Sequence, residues 1–284
     1  MADLTFADIQ VRVANQLRLS TGNSGDMTRL ADLINETYRD LYIKHDWWWL
    51  EKRQVINTVA KIDTSATVNV TLGSTSVQFS SAIASTGLTG AVMLLSGNTN
   101  DAGAVYRIAT NVAASTDATL DAAITHQTTS NADFRVYVDS YALTTDTQKV
   151  LKVKRYGERL PVRMVGKEVI SDLKITSLTE GKPEYVAVFD HQITGSPSTS
   201  PRLLQIHPYP DKAYRLEIFY KTALNTELTT SGPSVPMMPD EYRHLLIYGA
   251  LAQGYPIYLN DMERGVLYQG KYQSVLEQMV AIQR

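Results

Sequence analysis

Leu30-Ala31-Asp32-Leu33-Ile34-Asn35-Glu36-Thr37-Tyr38-Arg39-Asp40-Leu41-Tyr42 leads through Ile43-Lys44-His45 into Asp46-Trp47-Trp48-Trp49-Leu50. Leu30, Leu33, Ile34, Tyr38, Leu41 and Tyr42 recur at three- and four-residue steps, the spacing of a helix with one apolar face. Asp26 stands where an N-cap is needed, and no Gly or Pro intervenes before His45. All three tryptophans of the chain fall where this helix gives way to the β-prone Arg53-Gln54-Val55-Ile56. Consecutive residues cannot all face one core, so at least one indole must pack apart from its neighbours. Either the triplet is a helix-to-strand corner, or it anchors an assembly, since Trp and Tyr are enriched in interface cores.

Outward from this stretch the chain changes character twice. Upstream, Thr5 caps a helix with Phe6, Ile9, Val13 and Leu17 on one stripe, so residues 5–46 are expected to form an antiparallel helical pair. Downstream, residues 64–138 are rich in Thr, Ser, Ala, Val and Gly. Val68–Leu72 and Val77–Phe79 flank Gly73-Ser74-Thr75-Ser76, a hairpin signal. Further short strands are expected at Ala91–Leu95, Val105–Thr110, Thr119–Leu120 and Phe134–Val138. Their spacing points to an all-β module, barrel-like or sandwich-like, inserted over residues 61–138 into a parent formed by 1–60 and 139–284.

After the module a mixed fold resumes. Val150–Lys154 and Leu160-Pro161-Val162 resume β structure, Val165–Leu173 holds a short helix, and Pro183–Val188 reads as a strand. Leu203–His207 and Tyr214–Tyr220 read as a hairpin joined through Pro208-Tyr209-Pro210-Asp211-Lys212. Lys149, Lys152, Lys154, Arg155 and Arg159 read as a solvated face. The end of the chain is helical. Pro239-Asp240-Glu241 opens a helix whose Gly249, Ala250, Ala252 and Gly254 admit close neighbours. Pro256 is expected to end or kink it, and a last helix from Asn260-Asp261 carries Tyr272, Val275, Leu276 and Met279. The fold class is therefore α+β: a bundle of N- and C-terminal helices, a central β segment and the inserted module.

Chemistry is sparse. The chain has 284 residues, no cysteine and a formal charge of −2. Disulfides, Cys-ligated zinc and thiol catalysis are thereby excluded, and the electrostatic footprint of a duplex-binding protein is missing. His45, His126, His191, His207 and His244 show no metal-ligand spacing and read as surface or turn residues. Neither a G-x-S-x-G elbow nor a phosphate-cradling loop occurs. No apolar run reaches the length of about 18 residues that a membrane span needs, and Met1-Ala2-Asp3-Leu4 is not a signal peptide. No enzyme activity and no cofactor are expected. Tyrosine is abundant, 16 against 5 phenylalanines, and phenols suit half-buried interfaces.

The order of these parts resembles the head-to-tail adaptor (connector, or head-completion) proteins of tailed bacteriophages, of the larger type with an inserted β module. The features that match are the helical pair running into Asp46–Leu50, the insertion with Val105-Tyr106-Arg107-Ile108, Gly181-Lys182-Pro183-Glu184-Tyr185, Ile206–Asp211 leading to Leu216–Tyr220, and the closing Val235–Ala252. The resemblance implies a ring, usually of twelve copies, beneath the portal protein at the virion neck, built after synthesis in the bacterial host cytoplasm. It implies a downstream tail or nozzle protein as a second partner and no membrane. Double-stranded DNA would pass through an axial channel without sequence-specific binding. Family members dock through their helical part and C-terminal segment; here an amphipathic helix runs to Arg284. Phe6, Ile9, Val13, Trp47, Trp48, Trp49, Tyr272, Val275, Leu276 and Met279 are the candidate interface residues. The alternatives are another tail component, tube- or baseplate-like, and a carbohydrate-binding protein that stacks sugars on the tryptophans.

Overall fold

The computed structural model describes residues 4–62, 65–83, 88–96, 105–125, 128–176, 179–189, 202–224, 228–229 and 235–283. In chain order these form α1 (Phe6–Gln16), α2 (Ser24–Lys44), β1 (Glu51–Asn57), β2 (Val68–Val70), β3 (Ser76–Phe79), β4 (Val92–Ser96), β5 (Val105–Asn111), β6 (Asp117–Leu120) and β7 (Thr129–Tyr137). Then follow β8 (Ser140–Ala142), β9 (Thr147–Arg155), β10 (Pro161–Met164), α3 (Lys167–Thr176), β11 (Glu180–Gly181), β12 (Tyr185–Phe189), β13 (Leu203–His207), β14 (Tyr209–Pro210), β15 (Arg215–Thr222), α4 (His244–Leu259) and α5 (Met262–Gln283). By spatial contact residues 1–52 and 221–284 make one compact unit and residues 53–220 another, so the inserted strands share a unit with the open sheet.

The helical unit is organised around α4, which is apolar on all sides and buried from Leu245 to Tyr255. α1, α2 and α5 all pack on it. Phe6, Ile9, Val13 and Leu17 from α1, and Leu30, Ile34, Tyr38 and Leu41 from α2, complete the core. The small residues of α4 do what their size suggests: a Cβ on Gly249 would stand 2.2 Å from Thr37 Cγ2, and one on Gly254 2.6 Å from Leu17 Cδ1. Thr5 caps α1 in a reciprocal capping box with Asp8. One expectation is corrected and one is narrowed. α2 starts at Ser24 with Asn23 as its cap, leaving Asp26 in the first turn, where a carboxylate still favours the helix dipole. Pro256 does not end α4, which continues to Leu259 and stops at Asn260 in the left-handed conformation. Pro256 removes one backbone donor, and the helix carries on for three residues beyond it.

In the β unit, β2, β3, β6, β5, β4 and β7 close into a barrel. Closure comes from β7, which pairs with β4 along one edge and with β2 along the other. The barrel is filled by Val68, Val70, Phe79, Met93, Leu95, Ile108, Leu120, Phe134 and Val136. A seven-stranded sheet in the order β1-β15-β9-β10-β12-β13-β8 forms the rest, with its own core around Val153, Val186, Leu204, Ile206, Leu216 and Ile218. The expected hairpin of Leu203–His207 with Tyr214–Tyr220 is not made. β13 pairs with β12 and β8, and β15 lies between β1 and β9. The intervening Tyr209-Pro210 leaves the sheet to pair with Glu180-Gly181, so the chain crosses instead of turning back on itself.

Candidate interaction site

Trp47-Trp48-Trp49 resolves into three environments. Trp47 is 0% exposed and donates its indole N–H to the Leu41 carbonyl at 2.7 Å. Trp49 stacks on it at 4.6 Å between centroids and is half-buried. Trp48 lies edge-on to Trp49 and is 55% exposed. The triplet is thus a corner that seals the core with one ring, covers it with the next and presents the third.

Most of the other candidate interface residues point inward. Phe6, Ile9, Val13, Tyr272 and Met279 belong to the core of the helical unit, and Val275 and Leu276 are half-buried against it. A side chain with at most a few per cent of its area exposed offers little to a partner, so Phe6, Ile9, Val13, Trp47, Tyr272 and Met279 serve the core of the helical unit first. In their place the structure exposes Ile257 and Leu259 at the end of α4, and Met262, Val266 and Leu267 at the start of α5. At the 3.6-residue helical repeat, Val266 and Leu267 lie roughly 120° and 140° around α5 from Tyr272. That two-sided distribution was the available signal; periodicity alone did not say which side was already occupied.

A second set of residues escaped sequence inspection. Asn35, Tyr38 and Tyr42 share one face of α2 at i, i+3 and i+7. Asn35 exchanges two hydrogen bonds with the backbone of Leu228, at 2.8 and 3.0 Å. The Tyr38 hydroxyl accepts from Met237 N at 2.9 Å, and the Tyr42 hydroxyl donates to the Thr222 carbonyl. Burial pushes the Tyr38 phenol above its ordinary value. α2 therefore holds the chain that returns from β15 through its backbone, whatever side chains that segment carries.

The barrel is tied to the sheet by charge as well as by packing. Asp139, 0% exposed, follows β7 at the barrel exit. Its carboxylate accepts from Lys174 on α3 and from the Ser140 hydroxyl, and lies 3.5 Å from Arg107 on β5. Lys174 also donates to Gln205 at 3.1 Å. Burial pushes the Lys174 ammonium below its ordinary value, against the pull of Asp139. Nearby, Glu180 accepts a hydrogen bond from the Tyr137 hydroxyl at 2.8 Å and pairs with Lys61 at 3.0 Å. Burial opposes ionisation of Glu180, but the bonds from Lys61 and Tyr137 outweigh it and hold the carboxyl below its usual range. Tyr137 and Tyr209 pack with Val92 and Leu94 beside these charges. This is a structural joint in which a buried carboxylate is paired with a largely buried lysine.

Of the histidines, His126 and His191 lie outside the described residues. His45 sits edge-on to Trp47, and His244 edge-on to Tyr248. His207 departs from the expected surface or turn position: it lies in β13, 4% exposed, with Nδ1 unpaired among the described residues, and burial, with the Lys174 charge, pushes its imidazole below the ordinary value. The expected solvated face keeps Lys149, Lys152 and Arg159 outside, but Arg155 turns in to the Pro183 carbonyl and Glu158. Among the described residues no cluster of His, Asp and Glu has the makings of a metal site, and no helix is long and apolar enough to cross a membrane.

Compared with known families, residues 86–284 match the family model described as SU10 adaptor protein, which is more than half of the chain. The chain belongs to the SU10 adaptor family. No curated protein matches it. This adaptor is thereby a bacteriophage structural protein and a virion component, whose family implies contact with other head and tail proteins. The resemblance seen in the order of its parts is borne out over β4–β15, α4 and α5. α1, α2 and the tryptophan corner precede the matched residues.

Proposed function

We propose that this adaptor forms a closed ring beneath the portal, in twelve copies, and joins the capsid to a downstream tail or nozzle protein. The observation that carries the proposal is the exposure of Ile257, Leu259, Met262, Val266 and Leu267 around the α4–α5 turn, with Ile43 and Trp48 also exposed on the helical unit. Single exposed apolar residues are ordinary. A concentration of large ones marks a surface that is covered in the assembled state. A ring uses two different faces of each copy, and the β unit supplies a chemically distinct second face. The near-balanced charge of −2 suits a wall past which DNA slides without being held.

Native mass spectrometry of the protein alone, and after mixing with its phage's portal ring, tests this. A complex in which the adaptor's copy number equals the portal's supports the ring and its seat. A monomer in both samples overturns it, and open-ended self-polymers would make the protein a tube component instead.

A further inference from the structure

Strands β2, β3, β6 and β5 form one wall of the barrel, and their outward side chains line an open groove of about 530 Å3. That volume falls in the range of roughly 300–1,000 Å3 typical of small-ligand sites. Register places Asn69 opposite Gln78, Gln78 opposite Asp117, and Ser76 opposite Thr119. One row across the wall is therefore amide, amide, carboxylate, and the next is made of hydroxyls. No lysine, arginine or glutamate is among its described lining residues, although long charged side chains are the usual dress of a solvated sheet. Among the described residues several polar atoms keep spare capacity. Asn69 spends its oxygen on Asn131 N, which leaves the amide nitrogen; Gln78 gives its nitrogen to Asp117 at 3.4 Å, which leaves the oxygen. The Thr71 and Ser76 hydroxyls make no hydrogen bond among the described residues.

We infer that this wall binds a neutral polysaccharide. The absence of cations disfavours phosphate, sulfate and nucleic acid, which need Lys or Arg partners. Spare donors and acceptors spaced across adjacent strands match the vicinal hydroxyls of a sugar, each of which both donates and accepts. Threonine methyls and the exposed Val112 at the groove's end can meet sugar C–H faces. No aromatic ring is among the described lining residues, so a single site is weak, and useful avidity would come from repetition in the assembled particle. The wall shares no residue with the α4–α5 turn, so the ring can fail while this site stands, and the reverse.

The test is NMR on the full chain, titrating neutral tetrasaccharides of glucose, mannose and galactose to millimolar concentration, with polygalacturonate and polyphosphate as charged comparators. Shifts confined to amides of β2, β3, β5 and β6, weakened at least about tenfold in Gln78→Ala and Asp117→Ala, support the site. Thr71→Val is nearly isosteric and should weaken binding several-fold with the unfolding midpoint unchanged, which separates lost contacts from a lost fold. The proposal is overturned if no neutral sugar moves these amides, if the shifts survive both alanine variants, or if only the charged polymers bind.

Discussion

The helical unit and the barrel each bury an apolar core but present different surfaces. The helical unit buries Trp47, Phe6, Leu30 and Leu251 and still leaves Ile257, Met262, Val266 and Leu267 in water. The barrel buries Phe79, Phe134 and its aliphatics, and one outer wall carries amides and hydroxyls. The means of fixing position differ too. Helices meet where a glycine lets them touch, as at Gly249 and Thr37, whereas the barrel is held on its sheet by Asp139, Lys174 and Arg107. In a structural protein the cores settle only that the units fold; their surfaces decide what each can meet.

The sharpest way to break this contrast is at the charged joint. Asp139→Ala strands Lys174 and should cost about 3–5 kcal/mol in urea unfolding, while Asp139→Leu combined with Lys174→Met should recover most of that loss. On the helical side, Gly249→Ala drives a methyl into Thr37 and should cost about 1–3 kcal/mol. Thr37→Ala in the same chain should relieve much of it, as a double-mutant cycle would reveal. Tyr38→Phe leaves Met237 N without its acceptor, and a loss of about 1–3 kcal/mol is expected in the same assay.

Acid separates the regions more gently. The folded His207 has a lowered pKa, so the native state binds fewer protons than the unfolded chain, and stability falls as pH drops through the unfolded value near 6.5. His207→Gln should flatten the decline in unfolding midpoint between pH 7 and 5; an unchanged slope would assign the decline elsewhere. Glu180 acts at lower pH, because its contribution is lost only as pH falls through its depressed folded value. The smallest effect belongs to the surface. Trp48→Ala and Val266→Asp should leave stability within about 0.5 kcal/mol and yet reduce assembly on the portal. A large stability loss instead would mean that these side chains belong to the fold.

Much of the architecture was legible because it is written locally. The Thr5 cap, the α2 stripe and the turn at Gly73 each depend on residues a few positions apart, and local geometry carries such signals to the folded state. The short-strand rhythm announced a closed or layered β module but not which, since closure needs β7 to meet both β2 and β4 across long separations. Leu203–His207 and Tyr214–Tyr220 looked like a hairpin because turn chemistry stood between them. Pairing was decided instead by which other strands offered matching edges.

The candidate site was legible only as composition. Sequence marked the tryptophans, tyrosines and apolar stripes as material for contacts, and the family resemblance supplied a purpose for them. It could not say that Trp47 closes the core while Trp48 faces water, or that Val266 is free while Tyr272 is not. Periodicity determines which residues share a face; burial depends on what the rest of the chain brings against that face. By itself the sequence thus determined the α+β class, the helices and the adaptor resemblance. Tertiary structure alone decided barrel closure, the burial of Asp139 and the surfaces left over for partners, because each depends on contacts between residues far apart in the chain.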